Sequence, residues 1–122
     1  MPPTRVVIYC EREDQVFFLD WLDSLPIKAL DKCRVRIERL GELGHELRRP
    51  EADYLRDGGY ELRANLQGVN YRILYFFHSK ATAVLSHGLT KERAVPPKEI
   101  DRAVERKKKF ESDPKRHTLE QR

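Results

Sequence analysis

The sequence predicts an α+β domain: a small antiparallel-rich β-sheet packed against helices, in the order β-α-α-β-β-β-α. Three observations carry this expectation. The chain opens on a short β-branched run, "RVVIYC". Two stretches with helical spacing follow. Three β-rich runs separated by short turns then precede a last amphipathic stretch.

Taken in order, "RVVIYC" (Arg5 to Cys10) reads as the first strand. Over residues 15–25, Phe18, Trp21, Leu22 and Leu25 fall on one helical face, and Pro26 breaks that pattern. A second helix is expected from about Ile27 to Leu43, with Ile27, Leu30, Cys33, Ile37, Leu40 and Leu43 along one stripe. Its other face carries Lys28, Lys32, Arg34, Arg36 and Arg39, interleaved with Asp31 and Glu38. That face is either a plain solvated surface or, through Arg36 and Arg39, a surface for RNA. "GHELRRPEADYLRDGG" reads as a breaker-rich connector. Strands are expected over residues 60–66, 70–77 and 82–88, the middle one apolar on both faces apart from Arg72, as suits a central strand. Pro97 suits the first turn of a closing helix, with Glu99 near its positive end. In that helix Ile100, Ala103, Val104 and Lys107 are expected to face inward, and Lys98, Arg102, Arg106 and Lys109 to line another side. All helices are expected on one face of the sheet. Residues 1–110 then form a single domain, and residues 111–122 a flexible tail with little to bury.

At 122 residues the chain is one domain of ordinary size, 39% hydrophobic and 36% charged. Its 24 Lys and Arg against 20 acids give +4, a mild excess whose position matters more than its size. Cys10 and Cys33 have no CxxC partner and no histidine at metal-ligand spacing, so both are expected as small buried hydrophobes. No signal peptide is expected, and no window approaches the ~20 apolar residues of a membrane span. A cytoplasmic protein without metal, cofactor or membrane partner is the expectation.

The second and third expected strands, "YELRANLQGVNYRILYFF", join at Gln67-Gly68. A two-residue turn there sets Leu66 opposite Val69 and, further along, Arg63 opposite Arg72. A turn centred on Ser79-Lys80 would then set Arg72 opposite His87. Arg63, Arg72 and His87 would form one row across three strands, with Glu61 on the same face as Arg63. Like charges directly opposite one another destabilise a sheet by up to about 1 kcal/mol. An anion between the two guanidiniums reverses that cost, and a phosphate suits their forked donors. The bland alternative pairs Arg63 with Glu61 and lays Arg72 over an aromatic ring. Lys91, Arg93 and Lys98 extend the positive charge just past the third strand, a local footprint that suits nucleic acid.

RNA cleavage by internal attack needs a base for the 2′-hydroxyl, cations for the five-coordinate phosphorus and an acid for the leaving oxygen. His87, Arg63 with Arg72, and Lys91 suit these roles without a metal. A lysine ordinarily titrates near 10.4, so Lys91 as the acid requires a shifted pKa. Ser86 is set aside as a partner of His87, because adjacent strand residues point to opposite faces.

"YELR", "YRILYFF" and "VLSHGLTKERAVPPKEIDRAVERKKKF" together resemble the HigB-like, partly phage-derived branch of the RelE/ParE toxin superfamily. The likeness spans roughly residues 60–110. It implies a RelE-like fold and the toxin of a type II toxin–antitoxin pair, a metal-independent endoribonuclease that cuts messenger RNA on the ribosome. It further implies a cognate antitoxin with a helix-turn-helix domain, and operator DNA reached only through that antitoxin. The matching functional positions are Arg63, Arg72, His87 and Lys91. Arg93, Lys98, Arg36 and Arg39 as RNA- or ribosome-binding residues, and Glu61 in support, rest on the charge pattern and the strand faces instead. RelE itself has a catalytic tyrosine near the last helix, whereas "AVPPKEI" supplies none. Either His87 or Lys91 then transfers the proton, or the chemistry is weaker. Rival functions are a ParE-like gyrase inhibitor and a non-catalytic RNA- or ribosome-binding module.

Overall fold

The structure, a computed structural model, describes residues 3–90 and 93–120. Strand β1 (Arg5–Tyr9) is followed by helices α1 (Phe17–Asp23) and α2 (Ile27–Leu43), strands β2 (Ala52–Arg56), β3 (Gly59–Leu66), β4 (Val69–His78) and β5 (Thr82–Thr90), helix α3 (Pro97–Ser112) and strand β6 (Thr118–Glu120). The strands form one sheet in the order β2-β3-β4-β5-β1-β6. Only the β1–β5 neighbours run parallel, Arg5 opposite Thr82 through Ile8 opposite Leu85. The α+β class and the antiparallel-rich sheet are as the sequence predicts.

β4 lies at the centre, and its alternation sorts the core. Tyr71, Ile73, Tyr75 and Phe77 face one side, where Phe18 of α1 and Ala29, Cys33, Ile37 and Leu40 of α2 pack against them. Phe76 faces the other side and joins Val7, Tyr9, Val84 and Phe110 of α3. Burying a side chain of this size contributes about 1.5–3 kcal/mol, so both layers are substantial. The helices therefore cover both faces, not one as expected. The continuous apolar run of β4 records this, because a strand covered on one side only would alternate with polar residues. Cys10 and Cys33 are free and buried, as expected.

Two strands go unread in the sequence. β2 lies inside the presumed connector, where Ala52 pairs with Leu62 and Tyr54 with Tyr60. Its charges hide it, because an edge strand need bury only one row of side chains. β6 lies inside the presumed flexible tail and pairs antiparallel to β1, Ile8 opposite Leu119. His117 anchors that segment: its ring stacks on Tyr9 at 5.2 Å, and its Nδ1 lies 2.9 Å from the Cys10 carbonyl.

Beyond β2, the outer edge of β3 is left to side chains. Arg36 Nε donates to the Arg63 carbonyl at 2.8 Å and Lys32 Nζ to the Asn65 carbonyl at 2.9 Å. Two cations of α2 thus satisfy carbonyls that would otherwise invite a further strand.

Candidate functional site

The turn at Gln67-Gly68 places both residues at positive φ, 51° and 82°, the two-residue hairpin geometry that glycine at the second position favours. It sets the β3–β4 register as expected, with Leu66 opposite Val69 and Arg63 opposite Arg72. The two guanidiniums converge on one carboxylate. Glu61, 3% exposed, accepts from Arg63 Nη2 at 3.2 Å and from Arg72 Nη1. Arg63 Nη2 also reaches Asp53 at 3.1 Å, and Asp53 in turn pairs with Arg49 at 2.9 Å. The result is a chain of alternating charge, Arg49–Asp53–Arg63–Glu61–Arg72, crossing three strands at the open end of the α3 face. The anion expected between the arginines is thus supplied first by Glu61. Among the described residues this chain holds three cations and two carboxylates.

Arg72 is 11% exposed at its side chain and Arg63 37%, so Arg63 offers the more accessible fork. Arg72 Nη2 donates to the Arg93 carbonyl at 2.6 Å, which ties the segment after β5 to the same cluster. Arg93 and Lys98 are exposed beside it in sequence. Lys91 lies outside the described residues. Of Arg36 and Arg39, expected on an RNA surface, Arg36 donates to the Arg63 carbonyl at the β3 edge, and Arg39 pairs with Glu51 at 3.1 Å just before β2.

His87 does not complete the expected row. Arg72 lies opposite Leu89, and His87 opposite Leu74. The β4–β5 connection holds three residues rather than two, since His78 pairs with Thr82, and Ser79 takes φ 66°. A β-bulge adds a second shift, with Tyr75 opposite Leu85 but Leu74 opposite His87, so that Ser86 is the extra residue. The two one-residue shifts together preserve the face. His87 therefore shares the side of Arg72, displaced along the strand and lying beneath α3.

There His87 is buried, 6% exposed, with both ring nitrogens engaged. Nε2 lies 3.1 Å from Glu99 Oε1, and Nδ1 lies 2.8 Å from Ser86 Oγ. A carboxylate only accepts, so Nε2 carries the proton, and Nδ1 accepts from the Ser86 hydroxyl. Burial, reinforced by the Arg106 charge, lowers the His87 pKa to about 4, outweighing the opposing pull of Glu99. The ring is neutral at pH 7, with Arg106 as the cation that reinforces the effect of burial. Arg106 is itself buried against the Phe17 ring, 4.3 Å from its centroid, with Nη1 3.4 Å from Ser86 Oγ.

The bulge also corrects the expectation for Ser86, whose side chain turns to the face of His87. Ser86, His87 and Glu99 have the composition of a hydrolytic triad. Yet Ser86 is fully buried and its hydroxyl is held by Arg106 and His87, so no substrate carbon can reach it. The network fastens α3 to the sheet.

Sequence reasoning misses Asp53, Arg49, Glu99 and Arg106 as parts of these two clusters. Arg106 has a signal: it lies three residues after Ala103 and four before Phe110, on the buried stripe of α3. Asp53 has none, being inside an unrecognised strand.

A family model for phage-derived Gp49-like proteins (DUF891) matches residues 20–108. The chain belongs to the Gp49-like family. The match runs from α1 into α3 and contains every residue of both clusters. The family is related to the RelE- and HigB-like toxins. No curated protein matches the chain. In this Gp49-like protein, paired arginines held in fixed orientation can stabilise a phosphate or its transition state without reorganising, which is where such groups act most strongly. No helix among the described residues is long and apolar enough to cross a membrane.

Proposed function

We propose that this Gp49-like protein is the toxin of a type II toxin–antitoxin pair, a HigB-like endoribonuclease that cuts messenger RNA on the ribosome in the cytoplasm. One observation carries the proposal: Arg63 and Arg72 stand directly opposite one another with both forks oriented by the buried Glu61. Family membership supports it. The phosphate approaches Arg63 from solvent, with Arg93 and Lys98 adding positive charge, and Glu61 keeps the forks from collapsing onto other partners. The 2′-oxygen gives its proton to solvent and attacks phosphorus, the bond from phosphorus to the 5′-oxygen breaks as Lys91 protonates that oxygen, and the arginines stabilise the charge that develops on the equatorial oxygens. His87 is poorly suited as the base while Glu99 and Ser86 occupy its nitrogens, so Lys91 is the proton-transfer group in this proposal. A helix-turn-helix antitoxin neutralises the toxin and links it to operator DNA.

The buried, doubly bonded His87 favours one alternative, a module that binds RNA or the ribosome without cutting. Ribosomes programmed with a labelled messenger distinguish the two. Cleavage that requires the ribosome and is abolished by Arg63→Ala or Arg72→Ala, with both variants folded by circular dichroism, supports the nuclease. Intact messenger with wild-type protein bound to the ribosome supports the binder. Intact messenger without binding refutes both.

A further inference from the structure

Beside β2 lies a groove of about 410 Å³, lined by Leu47, Arg48, Arg49, Ala52, Asp53, Tyr54 and Tyr60, which therefore shares Arg49 and Asp53 with the arginine chain. Tyr54 is 53% exposed, one of few large apolar side chains that remain so. Its ring is held firmly. It meets Tyr60 edge to face at 5.1 Å, and Tyr60 stacks on Tyr75 at 5.3 Å and abuts Phe77 at 5.2 Å. The Tyr54 hydroxyl accepts from the Gly58 N–H at 3.2 Å, which fixes the ring against the β2–β3 turn. Tyr54 is thus the solvent end of an aromatic stack rooted in the core, a platform that needs no ordering on binding.

The rim is cationic. Arg48 is exposed and held through Nη1 by the His45 carbonyl at 2.7 Å, with no carboxylate partner among the described residues. Arg49 is 74% exposed and pairs with Asp53, the first link of the chain that leads to Arg63 and Arg72. An aromatic face beside two exposed guanidiniums, of which only Arg49 has a carboxylate partner among the described residues, continuous through Asp53 with the Arg63–Arg72 pair, matches the chemistry of single-stranded nucleic acid. Bases stack on aromatic rings, and phosphates follow the cations.

We infer that this groove is a nucleotide subsite, in which a base of single-stranded RNA stacks on Tyr54 and its phosphate is held by Arg48 and Arg49. The subsite rests on the RNA function proposed above and extends it, because the strand would continue from Arg49 toward Arg63. An unstacked base is required, so paired RNA is excluded from the groove.

The probe is a fluorescein-labelled eight-nucleotide 2′-O-methyl RNA, which cannot undergo internal attack, read by fluorescence anisotropy. Tyr54→Ala is expected to weaken binding on the order of tenfold, the usual loss for one stacked base. Tyr54→Phe keeps the ring but loses the bond to Gly58, and is expected to bind as the wild type does. Arg48→Ala is expected to lower the salt dependence by about one phosphate contact. Placing 2-aminopurine in the RNA reports stacking directly, as quenching that Tyr54→Ala removes. Wild-type binding that Tyr54→Ala leaves unchanged overturns the subsite, as does equal loss in Tyr54→Phe, which would trace the effect to the turn. Absence of wild-type binding overturns it as well. The messenger-cleavage assay decides the nuclease separately: cleavage indifferent to Tyr54→Ala would remove the subsite and leave the nuclease standing.

Discussion

Glu61→Gln tests the central feature of the site, because it removes one charge without changing shape. In the wild type this buried carboxylate accepts from Arg63 and Arg72. The substituted side chain would keep one acceptor oxygen, but its amide nitrogen would face guanidiniums that can only donate. Removing one partner of a buried ion pair costs about 3–5 kcal/mol, while the contribution of the more exposed Arg63 is reduced by solvent screening. A loss of about 2–4 kcal/mol is expected. At about 3–5 °C per kcal/mol for a domain of this size, the melting temperature should fall by on the order of 10 °C. The same substitution raises the local charge by one, so RNA affinity should increase and its salt dependence steepen. Thermal unfolding by circular dichroism and RNA anisotropy are measured on one preparation. A melting temperature within a degree of the wild type would refute the counter-ion role. RNA affinity and salt dependence both unchanged in folded Glu61→Gln would refute the idea that the arginines serve a phosphate.

The His87 pKa near 4 implies a pH dependence with a definite sign. The unfolded histidine titrates near 6.5, so the unfolded chain binds the extra proton between pH 6.5 and 4. Stability should fall through that window by up to about 3 kcal/mol and gain nothing from this group above it. Comparing wild type with His87→Gln by urea midpoint isolates that contribution, and equal slopes would refute it. Gly88→Ala brings a methyl within 2.1 Å of the Trp21 ring, so a loss of about 1–3 kcal/mol is expected in urea unfolding, and an unchanged midpoint would contradict the packing. Lys32→Ala combined with Arg36→Ala uncovers the β3 carbonyls. Self-association on warming should increase in sedimentation velocity, whereas a monomer identical to the wild type would show that the edge needs no guard.

What can be read from the sequence follows the strength of each local signal. Gln67-Gly68 allows one tight turn, so the Arg63–Arg72 pairing is legible to the residue. Ser79-Lys80-Ala81 has no comparable preference, and nothing in "AVLSHGL" marks Ser86 as an extra residue, so the sequence puts His87 on the right face but opposite the wrong neighbour. β2 and β6 are obscured by polar edges. Arg106 shows a further limit: hydropathy assigns an arginine to solvent, whereas here its guanidinium lies on Phe17 and caps a buried hydroxyl.

The parallel pairing of β1 with β5 bears on how the protein comes into being during synthesis. Arg5 waits for Thr82, so closing the sheet spans a loop of roughly 80 residues, at an entropic cost of about 3 kcal/mol beyond the shortest closures. The local hairpin of β3 and β4 can form as soon as it leaves the ribosome, but β1 has no partner until β5 has been made. A partly synthesised chain therefore keeps an unpaired first strand, and the arginine pair gains its complete scaffold only after β5 has been made.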